Sequence, residues 1–366
     1  VAVALCVGAT PTPEPTAVPT STPTAIVWSR TGYLPMIIKG AGYLSEVAGR
    51  QEEQPSSPQA SADLKGSLAT PEPSEEGGGS RERPYPSGAR DWRAVAVDPE
   101  SGIAYVVADD GIWALDTDGQ DPARCILAGA GYHAAFVDLR ERRLVVSDWG
   151  NGAVVALDLD NGAVVARASP LLRPSGIAVH GDRLFVTETA ADRVVILDRH
   201  TCGIIGVEPV GPAPYAVAAD ARHGRVWVAN AGGSTVTVLD ARIGRPTGAV
   251  SLDGLGHPQG VAIDSARSRV YVTYLLTPRY HSLAVINAES LRVEQVLRGS
   301  PALPLVGAYG VAVEPGTGRI FLSDVAGLVA VDPQTLAVHV EQPGGGFLLP
   351  FGLVMEQASR RLLMVD

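Results

Sequence analysis

Basic clusters are what this chain most plainly lacks. Its 29 Lys and Arg residues are outnumbered by 39 Asp and Glu, the formal net charge is −10, and the positive residues form no run anywhere. That balance argues against a nucleic-acid partner, whose backbone phosphates would be repelled rather than neutralised. Cysteine is scarce too. Cys6 lies in an apolar leader, and Cys125 and Cys202 fall in repeats that are not neighbours, so the three supply neither a disulfide framework nor a metal pattern. No apolar run approaches the roughly 18 residues of a membrane-spanning helix. The seven histidines (133, 180, 200, 223, 257, 281 and 339) never pair as HxH or HExxH. A GxSxG elbow, a P-loop and a dinucleotide fingerprint are all missing. The run Gly344-Gly345-Gly346 has no Lys and no helix after it, and reads as a loop.

What is present divides sharply. Residues 1–9 read as the remnant of a signal segment, with Val7-Gly8-Ala9 as the small-residue cleavage site. A lipoprotein anchored at Cys6 is the less favoured reading, because bulky Leu5 precedes the cysteine. Residues 10–24 alternate Thr and Pro, which fixes φ and favours extended polyproline II of the kind found in exported stalks. After an apolar island at 25–38, residues 46–90 are rich in Glu, Ser, Pro and Gly and bury too little apolar surface to offset the entropy of ordering. Residues 10–90 are therefore expected to be a disordered linker, and 91–366 the folded domain.

From Trp92 onward a four-strand unit recurs. Its first strand is AVAVD (94–98), AAFVD (134–138), GIAVH (176–180), AVAAD (216–220), GVAID (260–264), GVAVE (310–314) and GLVME (352–356). A second strand follows (AYVVA, RLVVS, RLFVT, RVWVA, RVYVT, RIFLS, RLLMV), then a third ending in Asp or Asn at 116, 158, 198, 240, 287 and 332, then a weaker fourth. From Asp98 to Glu356 is 258 residues in six intervals, a period of 43. That period with four strands per unit predicts an all-β fold, a β-propeller of about seven four-stranded blades. Strands apolar at nearly every position suit burial on both faces between neighbouring blades. The seventh unit stops at Asp366 after its second strand. Two readings stay open: residues 25–38 supply the missing strands, or the chain is cut short. The long intervening linker favours the second.

The elements G-V-A-I-D (260–264), R-V-Y-V-T (269–273) and V-T-V-L-D (236–240) resemble the YVTN-type β-propeller repeats, which include quinoprotein amine dehydrogenase beta-chain-like propellers. The resemblance covers 92–366. It implies an extracytoplasmic propeller and leaves function open, since a fold does not carry an activity with it.

Chemistry is expected where the loops entering each first strand gather around the central channel. The residue just ahead of each first strand gives a ring: Arg93, His133, Ser175, Tyr215, Gln259, Tyr309 and Phe351. The strands are monotonous and this ring is varied, which suits a small polar or anionic ligand. A second ring after each second strand (Asp109, Asp148, Glu188, Asn230, Tyr274, Asp324, Asp366) could offer Ca²⁺ ligands, but Asp and Asn at such junctions more often cap the turn. The acids ending the first strands (Asp98, Asp138, Asp220, Asp264, Glu314, Glu356) read as turn formers at the opposite face. His133, His257 and His281 could converge on the mouth as a metal site. The longest loops, 274–282, 298–309 and 341–351, carry aromatic residues that suit a protein partner. The expectation is a secreted or cell-surface, monomeric binding or scaffold propeller, with no catalytic residues assigned. The alternative is a metal-dependent hydrolase or lyase resembling the gluconolactonases.

Overall fold

The computed structural model describes residues 24–28, 36–39, 93–108, 110–117, 123–275, 281–300, 305, 308–324, 327–343, 352–355 and 362–365. The expectations for 1–23 and 40–92 lie outside the described residues.

Every described element is a strand, and the strands form seven four-stranded antiparallel sheets. Blade 1 runs outward from the axis through Ala94–Asp98, Ile103–Ala108, Gly111–Asp116 and Arg124–Ala128. Blades 2 to 6 repeat this order, with innermost strands Tyr132–Asp138, Pro174–His180, Pro214–Asp220, His257–Asp264 and Val311–Val313. The innermost strands touch in succession, and Gly352–Met355 of blade 7 contacts both Val311–Val313 and Ala94–Asp98, so the ring is closed. No described helix is long and apolar enough to cross a membrane.

Blade 7 corrects the preference against residues 25–38 as the source of its missing strands. Its two inner strands are Gly352–Met355 and Leu362–Val365, and its two outer strands are Thr24–Trp28 and Met36–Lys39. Ala25 pairs with Val365 and Trp28 with Leu362, antiparallel. Leu363 and Met364 are buried. The apolar island thus supplies the strands the seventh unit lacks.

The burial gradient across a blade explains the strand compositions. Second and third strands are sandwiched: Leu144, Val146, Val154 and Leu157 are at 0% exposure. Fourth strands face solvent on the rim, as Val164, Ile204 and Ile205 do. Each core cluster is shared by two blades. Trp227 packs on Val270, Tyr274 and Ile286 of the next blade, Phe185 on Val226 and Leu239, Tyr105 on Leu144 and Val155, and Leu363 on Val95 and Trp113. Cys202 is free and buried in the seam between blades 2 and 3.

The acids ending the first strands form turns as expected: Asp98 accepts the N–H of Glu100, Asp138 those of Arg140 and Glu141, Asp220 those of Arg222 and His223, and Asp264 that of Arg267, while Glu356 lies outside the described residues. The Oδ1 atoms of Asp158, Asp198, Asp240, Asn287 and Asp332 each accept the backbone N–H groups two and three residues on. Those bonds hold the carboxyls of Asp198, Asp240 and Asp332 below the usual carboxylate range. On the same face, arginines at the start of second strands clamp neighbouring blades. Arg143, Arg225 and Arg269 donate to the carbonyls of His200, Ala288 and Pro333 in the following blade. Arg199 grips the buried Asp138 of the preceding blade with two guanidinium nitrogens.

Removing residues 1–40 should expose the Leu362–Val365 edge and the apolar side chains beside it. The shortened protein is expected to elute as aggregate or higher oligomer on size exclusion and to melt below the full chain. Unchanged elution and melting would show that the two outer strands of blade 7 contribute nothing to closure.

Candidate functional site

The predicted ring owes its placement to irregular backbone. In blades 2 to 5 the pairing of the first and second strands slips at Tyr132/Ala134, Pro174/Ile177, Pro214/Val217 and Pro258/Gly260. His133, Ser175, Tyr215 and Gln259 lie in these bulges, a device that re-aims a side chain and interrupts pairing. Hydroxyls hold the bulges across the seams. Thr187 Oγ1 accepts the N–H of Gly176 at 2.8 Å in its own blade and donates to the carbonyl of Tyr215 at 2.7 Å in the next. Thr273 does the same with Gly260 (2.9 Å) and the Tyr309 carbonyl (3.1 Å), and Ser147 with Ala134 (2.9 Å) and the Ser175 carbonyl (2.6 Å). Glycine at 176 and 260 permits the approach: a Cβ there would lie 2.6 Å from the Tyr215 oxygen and 2.4 Å from the Tyr309 oxygen.

The geometry brings part of the ring together. His133 Nε2 and the Tyr215 hydroxyl are hydrogen-bonded at 2.9 Å, joining blades 2 and 4 past blade 3. Their rings meet edge to face at 5.0 Å. On its other side His133 stacks on Trp149 at 5.2 Å, and the guanidinium of Arg173 lies 5.5 Å from the Trp149 ring centre. Arg93 is exposed at the rim, Gln259 is half-buried, and Tyr309 packs edge to face on His281 at 4.7 Å. Ser175 is fully buried, its hydroxyl sharing a hydrogen bond with Thr189. Phe351 lies outside the described residues.

Burial dominates the protonation of His133, Tyr215 and His281. Burial, helped by the positive charge of Arg93, pushes the His133 imidazole down to about 4. Burial raises the Tyr215 hydroxyl, with Arg93 pulling it back and Tyr309 adding to the rise. Burial alone lowers His281 to about 4. At neutral pH His133 and His281 are therefore uncharged and Tyr215 is a neutral donor and acceptor, while Arg93 and Arg173 supply the positive charge.

Trp149 and Arg173 escaped the sequence reading, which took a single residue per unit ahead of each first strand and a single one after each second strand. Trp149 follows the second strand in the turn Asp148-Trp149-Gly150, at a position that units one, three, four and five fill with Asp110, Thr189, Ala231 and Leu275, and that break in the repeat was the available signal.

The second ring is occupied by structural bonds where it is described. Asp148 accepts from Asn151 N at 2.9 Å, Glu188 takes the Leu172 N–H and the Arg193 guanidinium, and Asn230 donates to Thr235 and Thr237. Tyr274 and Asp324 are buried. Asp109 and Asp366 lie outside the described residues. The three mouth histidines also go separate ways, since His257 Nδ1 lies 3.0 Å from the Ala231 carbonyl and His281 is buried against Tyr309. Among the described residues no group of three or more His, Cys, Asp or Glu is placed to hold a metal ion. A cavity of about 160 Å³ lies away from the mouth, near the rim between blades 1 and 2, lined by Tyr105, Arg124, Leu157 and Asp158 among others.

No family model matches the chain, and no curated protein matches its sequence. Solved structures do match. A streptogramin B lyase aligns with a TM-score of 0.60 at 11% identity, over 75% of this chain and 93% of the lyase. BamB from Moraxella catarrhalis aligns at 0.52 and 15% identity, over 75% and 84%. Kuenenia stuttgartiensis hydrazine synthase aligns at 0.55 and 15%, over 64% and 73%. These likenesses establish the β-propeller fold, one shared by binding scaffolds and enzymes, and nothing finer.

The depressed imidazoles carry a pH dependence of stability. Above about pH 6.5, the ordinary histidine value, folded and unfolded chains are both neutral at these positions. Between about 6.5 and 4 the unfolded histidines take protons that the folded ones refuse, so stability falls as pH drops through that window. Urea unfolding followed across pH 4–7 should show this slope, and His133→Gln with His281→Gln should flatten it. A slope unchanged in the double variant would show that these two groups are not the source.

Proposed function

We propose that this protein is an extracytoplasmic binding propeller whose channel mouth takes a small, polar, anionic ligand. One observation carries the reading. His133 of blade 2 and the Tyr215 hydroxyl of blade 4 are hydrogen-bonded past blade 3 at 2.9 Å, and the positive charge of Arg93 of blade 1 is felt at both. A planar guanidinium at an exposed rim matches a carboxylate or phosphate. Neutral tyrosine and glutamine around it add directional hydrogen bonds without a competing negative charge.

Export rests on the apolar start at 1–9 and on the Thr/Pro alternation of 10–24. The likeness of the repeat to the YVTN-type propellers supports the same compartment. His133, His257 and His281 turn to different partners, so they lend no support to the metal-dependent alternative at the mouth.

Titration calorimetry with citrate, gluconate and inorganic phosphate, each with Ca²⁺ and with EDTA, tests the proposal. Arg93→Ala should weaken binding about tenfold, the loss of one charged hydrogen bond. Arg242→Ala, an exposed arginine in a turn at the opposite face, should bind like the parent. Affinity that survives Arg93→Ala unchanged would sink the mouth assignment. Ca²⁺-dependent opening of gluconolactone would replace it with the hydrolase reading.

A further inference from the structure

The face opposite the mouth carries a cluster that the binding reading does not use. In the turn after the first strand of blade 4, the buried carboxylate of Asp220 accepts from His223 Nδ1 at 2.6 Å. The other ring nitrogen of His223 lies 3.2 Å from Ser268 Oγ in the corresponding turn of blade 5. An ionised carboxylate only accepts, so Nδ1 donates to Asp220, and Nε2 faces both the serine hydroxyl and, at 3.8 Å, the Glu289 carboxylate. Asp220 is itself held by the N–H of Arg222 at 3.1 Å and the hydroxyl of Ser265 at 2.8 Å. Nucleophile, base and orienting acid thus stand in the order and spacing of an acyl-transfer triad, which is recognised by geometry rather than chain order.

Comparison among the repeats sharpens the point. In blade 2 the equivalent acid, Asp138, is gripped by Arg199, and in blade 5 Asp264 is paired with Arg267; blade 4 instead offers its acid a histidine. Ser268 occupies a turn position with φ 51, a left-handed conformation that the matching turns of blades 1, 4 and 6 fill with Gly102, Gly224 and Gly318. Serine there is the poorer choice for the turn. Ser268 is half-buried, and a Cβ on Gly224 beside His223 would meet nothing within 4 Å, so the cluster opens to solvent.

We propose that Asp220, His223 and Ser268 form a hydrolytic triad at the seam of blades 4 and 5, acting on small activated carboxylic esters. Ser268 Oγ adds to the ester carbonyl as His223 Nε2 takes its proton. The tetrahedral adduct collapses, the bond to the alcohol oxygen breaks, and the departing alcohol receives that proton. Water then adds to the acyl-serine, giving a proton to His223. The acid departs as Ser268 recovers its hydroxyl proton, so the sum is ester plus water giving acid plus alcohol. Glu289 Oε1, 3.2 Å from Ser268 Oγ, competes for the hydroxyl proton and disfavours negatively charged acyl groups. Neutral aryl acetates are therefore the substrate class.

The test uses the full chain with p-nitrophenyl acetate as substrate and a fluorophosphonate as covalent probe, located by peptide mass mapping. The decisive variant is Ser268→Gly, which suits the left-handed turn and should fold at least as well as the parent, as a melting curve will verify. It should lose both the labelled peptide and hydrolysis above the buffer rate. His223→Gln should cut the rate by about a hundredfold, the lower range for a lost general base. A parent protein that shows no labelling at Ser268, or a Ser268→Gly variant that hydrolyses the ester at the parental rate, overturns the proposal. Neither result bears on ligand binding at the mouth.

Discussion

Between every two adjacent blades a layer of apolar side chains is shared, and no blade has a core of its own. Trp227 is covered only because Val270 and Tyr274 stand opposite it, and Val95 and Trp113 only because Leu363 arrives from the far end of the chain. A lone four-stranded sheet of this composition would present two apolar faces to water. Closure is thus the condition under which each local choice becomes favourable. The β-branched strands, the arginine clamps on one face and the hydroxyl clamps on the other all act at seams.

The two sets of clamps divide the molecule into a rigid frame and a variable mouth. Asp and Asn at the ends of the third strands of blades 2 to 6 tie their turns to their own backbone. At the mouth, the hydroxyls of Ser147, Thr187 and Thr273 secure the carbonyls of the ring residues and leave their side chains to differ. Tyr215 can therefore reach past blade 3 to His133, because its backbone is anchored from behind. Blade 4 has Ala229 at the clamp position, and Gln259 in the next blade has no such anchor.

Much of this was legible in the sequence, because a repeat prints its structural needs seven times over. Blade number, strand order and the turn-forming acids could all be read from the 43-residue period. The leading arginine of the second strands and the hydroxyl that ends several of them were visible in the same alignment, yet their action is between blades, and a pattern within one unit does not reveal a partner in the next. Blade 7 was misjudged for a related reason: its outer strands lie over 300 residues from its inner ones, and nothing local marks them as mates. In the mouth the ring positions could be named from the repeat, but the burial of Ser175 and the stack of Arg173 on Trp149 depend on bulge geometry that composition does not encode.

Pairing Thr24–Trp28 with Leu362–Val365 also bears on how the ring assembles. Ala25 meets Val365, so this seam closes a loop that passes through every other blade. Contacts of such separation are slow to form. While that pair is open, Leu362–Val365 keeps an unpaired strand edge, and a partly closed ring is most open to association with its neighbours. A propeller joined this way is held shut by its most distant contact.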